Sequence, residues 1–480
     1  MTADGREPVA SRQLTRQAAG RPAAAPVRIV HLGLGNFFRA HQAWYTAAAP
    51  DAAHWGIAAF TGRSTGLAES LTAQEGLYTL ITRAATGDSG QIIGSVSRAH
   101  SGPDTAALIG YLIDPAVAVI TLTVTEAGYA RGSDGLLDRS DPDVVADLAV
   151  LREVTDRHGA VPPLRTTPAR LVAALRARRV AEAGPIAIVP CDNLPENGRV
   201  VAAVVLDFAT DLDPSLAGWI RRNVSFVTTM VDRITPATTA ADVAAAERLT
   251  GLVDVAPVVT EPFREWVLSG EFPAGRPAWE AAGATFVPDI APFEERKLWL
   301  LNGGHSLLAY LGSPRGHATI ADAMADPFCR STLLAWWGEA APFLTLPTAD
   351  VAAYQASLID RFTNPAIAHR LAQIGTDGST KLPVRIVPVL RRLRSAGSVP
   401  PAAVLMLAGW IEHLRGCGTP VNDVNATRVV ELAAGTIEVA AQRVVDFLDP
   451  GLGRDEELLA AVVQACGRLG TDNPLRAGTA

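Results

Sequence analysis

Short apolar runs rich in β-branched residues recur through the first 290 positions, at 27–32, 56–60, 116–124, 186–189 and 225–230. Each has strand length, and segments of helical character, such as the stretch to residue 49 and 66–75, lie between them. Strands alternating with helices predict a mainly parallel sheet covered on both faces. Beyond about residue 290 the pattern changes: 293–311, 333–339, 401–414 and 429–447 read as helices and strand signals nearly vanish. The expected organisation is a disordered leader over 1–26, an α/β domain over 27–290 and a mostly α-helical domain over 291–480. The boundary is placed at 288–292, just past a Pro/Gly-rich excursion at 271–277.

Composition narrows the function classes. With 48% hydrophobic and 19% charged residues the chain suits two or three globular domains rather than a disordered or fibrous protein. The 42 basic and 49 acidic residues leave a net charge of -7 with no basic block, so nucleic acid has no electrostatic attraction to it. Apolar runs such as 201–205 and 402–407 fall far short of the roughly 20 residues a membrane helix needs. Cys191, Cys329, Cys417 and Cys466 lie far apart, which fits a reducing cytoplasm better than a disulfide framework. The nine histidines show no i, i+4 pair or other ligand spacing, so no metal is expected. Residues 1–26 carry Asp4 and Glu7 and lack an apolar core, unlike a cleaved targeting peptide.

Candidate chemistry begins with an asymmetry: of 42 basic residues only Lys297 and Lys381 are lysines. A desolvated ammonium can surrender its proton and a guanidinium cannot, so a lysine base has no arginine substitute. Lys297 lies in 293–306, a segment where Glu294, Lys297, Asn302 and His305 share one face at about 100° per residue, amid Leu298, Trp299, Leu300 and Leu301. A buried polar stripe needs partners or a ligand. One of Glu294 and Glu295 is expected to point elsewhere or to serve as a proton exit, since an ionised carboxylate would hold the proton on Lys297. Gly303 and Gly304, each costing about 1 kcal/mol in a helix, make sense if a cofactor ring or another backbone comes close. Lys381 sits in the turn 377–385, followed by Arg385.

The first strand runs straight into Gly33-Leu34-Gly35-Asn36-Phe37-Phe38, an arrangement that brings backbone against a pyrophosphate at a helix N-terminus, although Phe38 replaces the usual third glycine. After the second strand no carboxylate stands ready for a ribose; Arg63 beside Ser64 suits a 2′-phosphate, which leaves NAD against NADP open. Three further turns, 123–129, 189–194 and 231–236, leave strand ends and line one edge.

Together, Gly33 to His41, Thr123 to Tyr129, Val231 to Pro236, Lys297 to His305 and Asp377 to Pro383 resemble the mannitol dehydrogenase family, the polyol-specific long-chain dehydrogenases that include fructuronate and tagaturonate reductases. The resemblance implies a Rossmann-like N-terminal domain, a helical substrate domain and metal-independent hydride transfer, with family habit favouring NAD. It implies Lys297 as general base, Asn193 and Asn302 as donors to the developing alkoxide, His305 and Asp232 as polyol-positioning groups, Lys381 at the distal end of the substrate and Glu294 as proton gate. Gly33, Gly35, Asn36, Phe37 and Arg63 are the expected cofactor residues. Gln373 stands where mannitol 2-dehydrogenases tend to carry arginine, and Arg385 could neutralise a carboxylate as in the uronate reductases. The expectation is a monomeric enzyme acting on a polyol, ketose or hexuronate, mannitol to fructose first and fructuronate or tagaturonate reduction second. A non-catalytic nucleotide-binding sensor is the alternative of another class.

Overall fold

The computed structural model describes residues 12–62, 65–132, 134–154 and 161–471. The chain forms two compact units, Met1–Ile290 and Ala291–Ala480. In the first, strands Val27–Leu32 (β1), Gly56–Phe60 (β2), Val96–His100 (β3), Val119–Leu122 (β4), Ile186–Pro190 (β5) and Val224–Phe226 (β6) make one sheet in the order β3-β2-β1-β4-β5-β6. Every neighbouring pair in it is parallel. The apolar runs do not alternate because both faces are covered. Val30, Leu32, Ala58, Phe60, Ile120 and Leu122 enter one core, while Ile29, Ile57, Ala59 and Val119 enter the other. Successive residues thus point to opposite faces, and burial of each large aliphatic side chain stabilises the fold by roughly 1.5–3 kcal/mol.

Three features depart from the sequence expectation. The run 225–230 is two strands: β6 ends at Phe226, and Thr228–Asp232 leaves for another sheet, antiparallel to Glu265–Ser269. The hairpin Tyr78–Ala84 with Gly87–Ile93, extended by Val258–Thr260, was not foreseen, since Gly87 to Gln91 are exposed and carry no apolar alternation. The disordered leader is corrected as well. Arg12–Gln13 pairs with Leu252–Val253, Leu14 is fully buried beside Leu77 and Leu252, and Arg16 donates to the carbonyls of Gly94 (3.0 Å) and Val96 (3.3 Å). Residues 1–11 lie outside the described residues.

The second unit is helical. Helix Gly303–Gly312 is buried at all ten positions, so it is apolar all round apart from His305 and Ser306. The expected helix 293–311 is continuous but not uniform: Ala291–Arg296 is α-helical, Lys297–Asn302 is π-helical, and Gly303–Gly312 is α-helical again. The expected helix 429–447 is broken between Ala426–Leu432 and Ile437–Leu448, where Gly435 takes a φ of 93°. No helix among the described residues is long and apolar enough to cross a membrane. All four cysteines are buried and free.

Candidate functional site

In the first unit the turn after β1 is built by close approach. Gly33 has a φ of 113°, and a Cβ there would lie 2.2 Å from the carbonyl oxygen of Thr123. Its N–H and that of Leu34 both donate to the Phe60 carbonyl, at 2.9 and 2.8 Å. Below it the buried His31 ring bridges Thr121 (Nδ1 to Oγ1, 2.8 Å) and Thr123 (Nε2 to Oγ1, 3.1 Å), and the Thr123 hydroxyl donates to the Gly33 carbonyl at 2.8 Å. The ring also stacks on Phe38 at 3.5 Å, and burial pushes its pKa down to about 3. His31 is therefore a neutral strut.

Helix Asn36–Ala40 starts at Gly35 with no side-chain cap. A Cβ on Gly35 would meet only the Gly33 carbonyl oxygen, at 3.6 Å, so glycine is not required there by the protein's own packing. The turn thus offers uncapped amides at a helix start and a cradle that a Cβ would fill, which suits a diphosphate. The Asn36 side chain is engaged elsewhere: Nδ2 donates to Thr238 Oγ1 (3.3 Å) and the Pro236 carbonyl (3.4 Å), and Oδ1 accepts from Arg39 at 2.7 Å. Phe37 stacks on His41 with centroids 5.0 Å apart. Arg63 lies outside the described residues.

The same unit carries Asn193 and Asp232. Asn193 is exposed on the turn after β5, while Asp232 is buried at the end of Thr228–Asp232, opposite Glu265. Asn197, which the sequence reading passed over, is fully buried and ties this region together: its amide reaches the carbonyls of Pro190, Asp192 and Thr229.

In the second unit Lys297 opens the π-helical turn and Asn302 closes it; both are half-buried. A π turn closes i→i+5, so Asn302 follows Lys297 by about one turn rather than lying about 140° round the helix as uniform α geometry would have it. Two indoles bond to carbonyls of the turn: Trp336 Nε1 donates to Trp299 (2.8 Å) and Trp337 Nε1 to Leu300 (2.9 Å). The reason for Gly303 and Gly304 is corrected accordingly. A Cβ on Gly303 would come within 2.9 Å of Trp336 Nε1, and one on Gly304 within 2.8 Å of Leu333 Cδ1, so packed side chains, not a backbone or a ligand ring, require the glycines.

His305 is buried against Phe362, stacked at 4.7 Å, with His369 edge-on at 5.0 Å. Its Nε2 has no hydrogen-bond partner among the described residues. Burial holds its pKa well below the usual value, helped by His369, Arg361 and Arg385, so a neutral imidazole is presented. His369 and Arg361 were not foreseen; they lie 64 and 56 positions from His305, and no local pattern marks them. Glu294 is half-buried on the turn before Lys297, whereas Glu295 faces Arg392 at 3.8 Å. Arg385 donates from one nitrogen to the Asn302 carbonyl (3.2 Å) and Ser306 Oγ (3.0 Å), and burial lowers its pKa to about 10. Lys381 donates to Thr376 Oγ1 at 3.0 Å and the Ile374 carbonyl at 3.4 Å, its pKa lowered by burial and then by Arg385.

One group with metal-ligand chemistry emerges that spacing did not reveal. Ligand atoms of His317, Asp326 and Cys329 lie within 4.8 Å of one another. The Asp326 carboxylate is already taken, accepting from Arg315 (2.6 Å), His317 (2.9 Å) and the Phe328 amide (2.8 Å).

Comparison with known proteins matches residues 27–281 to the mannitol dehydrogenase Rossmann domain and 289–469 to the mannitol dehydrogenase C-terminal domain. The D-mannonate oxidoreductase of Escherichia coli (strain K12) is 40% identical over 409 residues, 83% of this chain and 82% of that protein. The mannitol 2-dehydrogenase of Cereibacter sphaeroides is 37% identical over 483 residues, 97% and 99%. Among solved structures, the Pseudomonas fluorescens mannitol 2-dehydrogenase ternary complex with NAD and D-mannitol superposes with a TM-score of 0.78 at 33% identity, covering 97% of this chain and 98% of that one.

Proposed function

Because the chain belongs to the mannitol dehydrogenase family of oxidoreductases, we propose that it interconverts a linear polyol and a ketose with NAD, mannitol and fructose being the first pair to test. The observation that carries this reading is the π turn Lys297–Asn302, which sets one of the chain's two lysines a turn from an asparagine, just ahead of a neutral buried His305. The solved relative with NAD and D-mannitol supports the same cofactor and substrate class. The close turn at Gly33, with Gly35 and the amides opening helix Asn36–Ala40, would hold the diphosphate. When bound, the nicotinamide supplies the hydride acceptor or donor.

The chain's own residues handle protons and charge. Lys297 Nζ takes the hydroxyl proton in oxidation and returns it in reduction, and Glu294, one turn earlier, passes it onward. Asn302 is a donor to the oxygen as charge develops on it, and Asn193 is the first unit's own candidate for a donor to an alkoxide. His305 Nε2 accepts from a substrate hydroxyl and Lys381 holds another; Asp232 is the first unit's own candidate for a hydroxyl contact. A second reading rests on Arg385. This half-buried, desolvated guanidinium forms no ion pair among the described residues, and a charge withdrawn from water is normally paired. A substrate carboxylate would supply the partner, which favours a hexuronate such as fructuronate and accords with the D-mannonate oxidoreductase relative.

The test is reduced-cofactor absorbance with purified protein, mannitol, arabinitol, fructose and fructuronate against NAD(H) and NADP(H). Turnover of fructose or mannitol supports the first reading, and turnover of fructuronate alone supports the second. Cofactor binding without any turnover would leave a nucleotide sensor and overturn both.

A further inference from the structure

We propose that Tyr129, Asp192 and Asn197 are positioning residues that clamp the backbone on both sides of Asn193; the proposal rests on the reading of Asn193 as a donor to the alkoxide. The Asp192 carboxylate reaches across Asn193: Oδ1 accepts from the Leu194 amide at 3.1 Å, closing a turn whose middle residue is Asn193. Its other oxygen, Oδ2, accepts from the Tyr129 hydroxyl. Tyr129 is fully buried and ends the short helix Glu126–Tyr129 that follows β4, so the bond ties the loops after two adjacent strands to each other.

From the opposite side, Asn197 Nδ2 donates to the Asp192 carbonyl at 3.3 Å, the peptide group that joins Asp192 to Asn193. Asn197 is itself fixed, donating to the Thr229 carbonyl at 3.1 Å and accepting from the Thr229 amide at 2.9 Å. Both peptide units flanking Asn193 are therefore anchored, one by a carboxylate and one by an amide.

A plain packing role explains this poorly. Burial raises the pKa of both Asp192 and Tyr129, and an apolar pair of similar volume would avoid the desolvation of a carboxylate. An oxyanion donor has the opposite requirement. Its contribution depends on being aimed before charge develops, and a displacement of about 1 Å lowers the rate by about 10²-fold.

The test is a double-variant cycle on the full chain, with kcat and KM for the best substrate, NADH affinity by fluorescence titration, and thermal midpoint. Tyr129→Phe is expected to lower kcat about tenfold while KM and NADH affinity change by less than about twofold. Asn193→Ala is expected to lower kcat by about 10²-fold. The double variant should then be no slower than Asn193→Ala, because Tyr129 acts only through Asn193. Asp192→Asn, which keeps an acceptor for the Leu194 amide, enters the same cycle if Tyr129→Phe fails to fold. A loss that multiplies in the double variant, or an unchanged kcat in Tyr129→Phe, overturns the clamp and leaves the role of Asn193 standing. An unchanged kcat in Asn193→Ala overturns both.

Discussion

His31 shows how far a single residue's environment sets its chemistry. Its ring is closed in by Thr121, Thr123 and Phe38 under the Gly33 turn, and its folded pKa of about 3 lies below the ordinary value of 6.5. The unfolded chain therefore takes up the proton first. The stabilisation is whole above pH 6.5 and is lost as pH falls from there toward about 3. Urea midpoints should decline over that interval, and His31→Gln should show a shallower decline than wild type; equal slopes would refute the buried neutral ring. Legibility at this scale followed locality. That Lys297, Asn302 and His305 share one helical run is legible because they fall on one segment, whereas the Asn36 side chain is drawn to Pro236 and Thr238, some 200 positions away, and nothing near Asn36 says so.

Elements were legible where burial on both faces imposes a continuous apolar run of strand length, as in β1, β2, β4 and β5, and illegible where a distant partner sets the geometry. The π turn Lys297–Asn302 is such a case, since the indoles that bond to its carbonyls come from Trp336 and Trp337. Trp336→Phe should remove the indole's bond to the Trp299 carbonyl, lowering stability by about 0.5–1.5 kcal/mol, and should lower kcat through the altered register of Lys297 and Asn302. Gly303→Ala should overpack the same contact, costing about 1–3 kcal/mol. Denaturant titration with steady-state kinetics checks both. A Gly303→Ala protein as stable and active as wild type would show that Trp336 yields freely. The exposed strand Gly87–Ile93 illustrates the other limit, because a polar edge carries no apolar period to read.

At the level of the whole molecule, the loss of strand signals near residue 290 marked the division that the contacts also draw between Ile290 and Ala291. Substrate choice was not legible in that division, because it turns on individual side chains such as Arg385. If the substrate carries a carboxylate, Arg385→Met should raise KM for fructuronate at least about tenfold and leave fructose nearly unaffected. Equal effects on both would assign Arg385 to holding Asn302 and Ser306 instead.

Proton transfer by Lys297 is tested most directly by the turnover of Lys297→Ala and Lys297→Arg, measured with and without added primary amine, beside Lys381→Ala as reference. Loss of kcat by about 10²- to 10⁴-fold in both Lys297 variants, partial recovery of Lys297→Ala by the amine and a much smaller effect at Lys381 are expected. Wild-type turnover in Lys297→Ala, or full activity in Lys297→Arg, would contradict a base at this position.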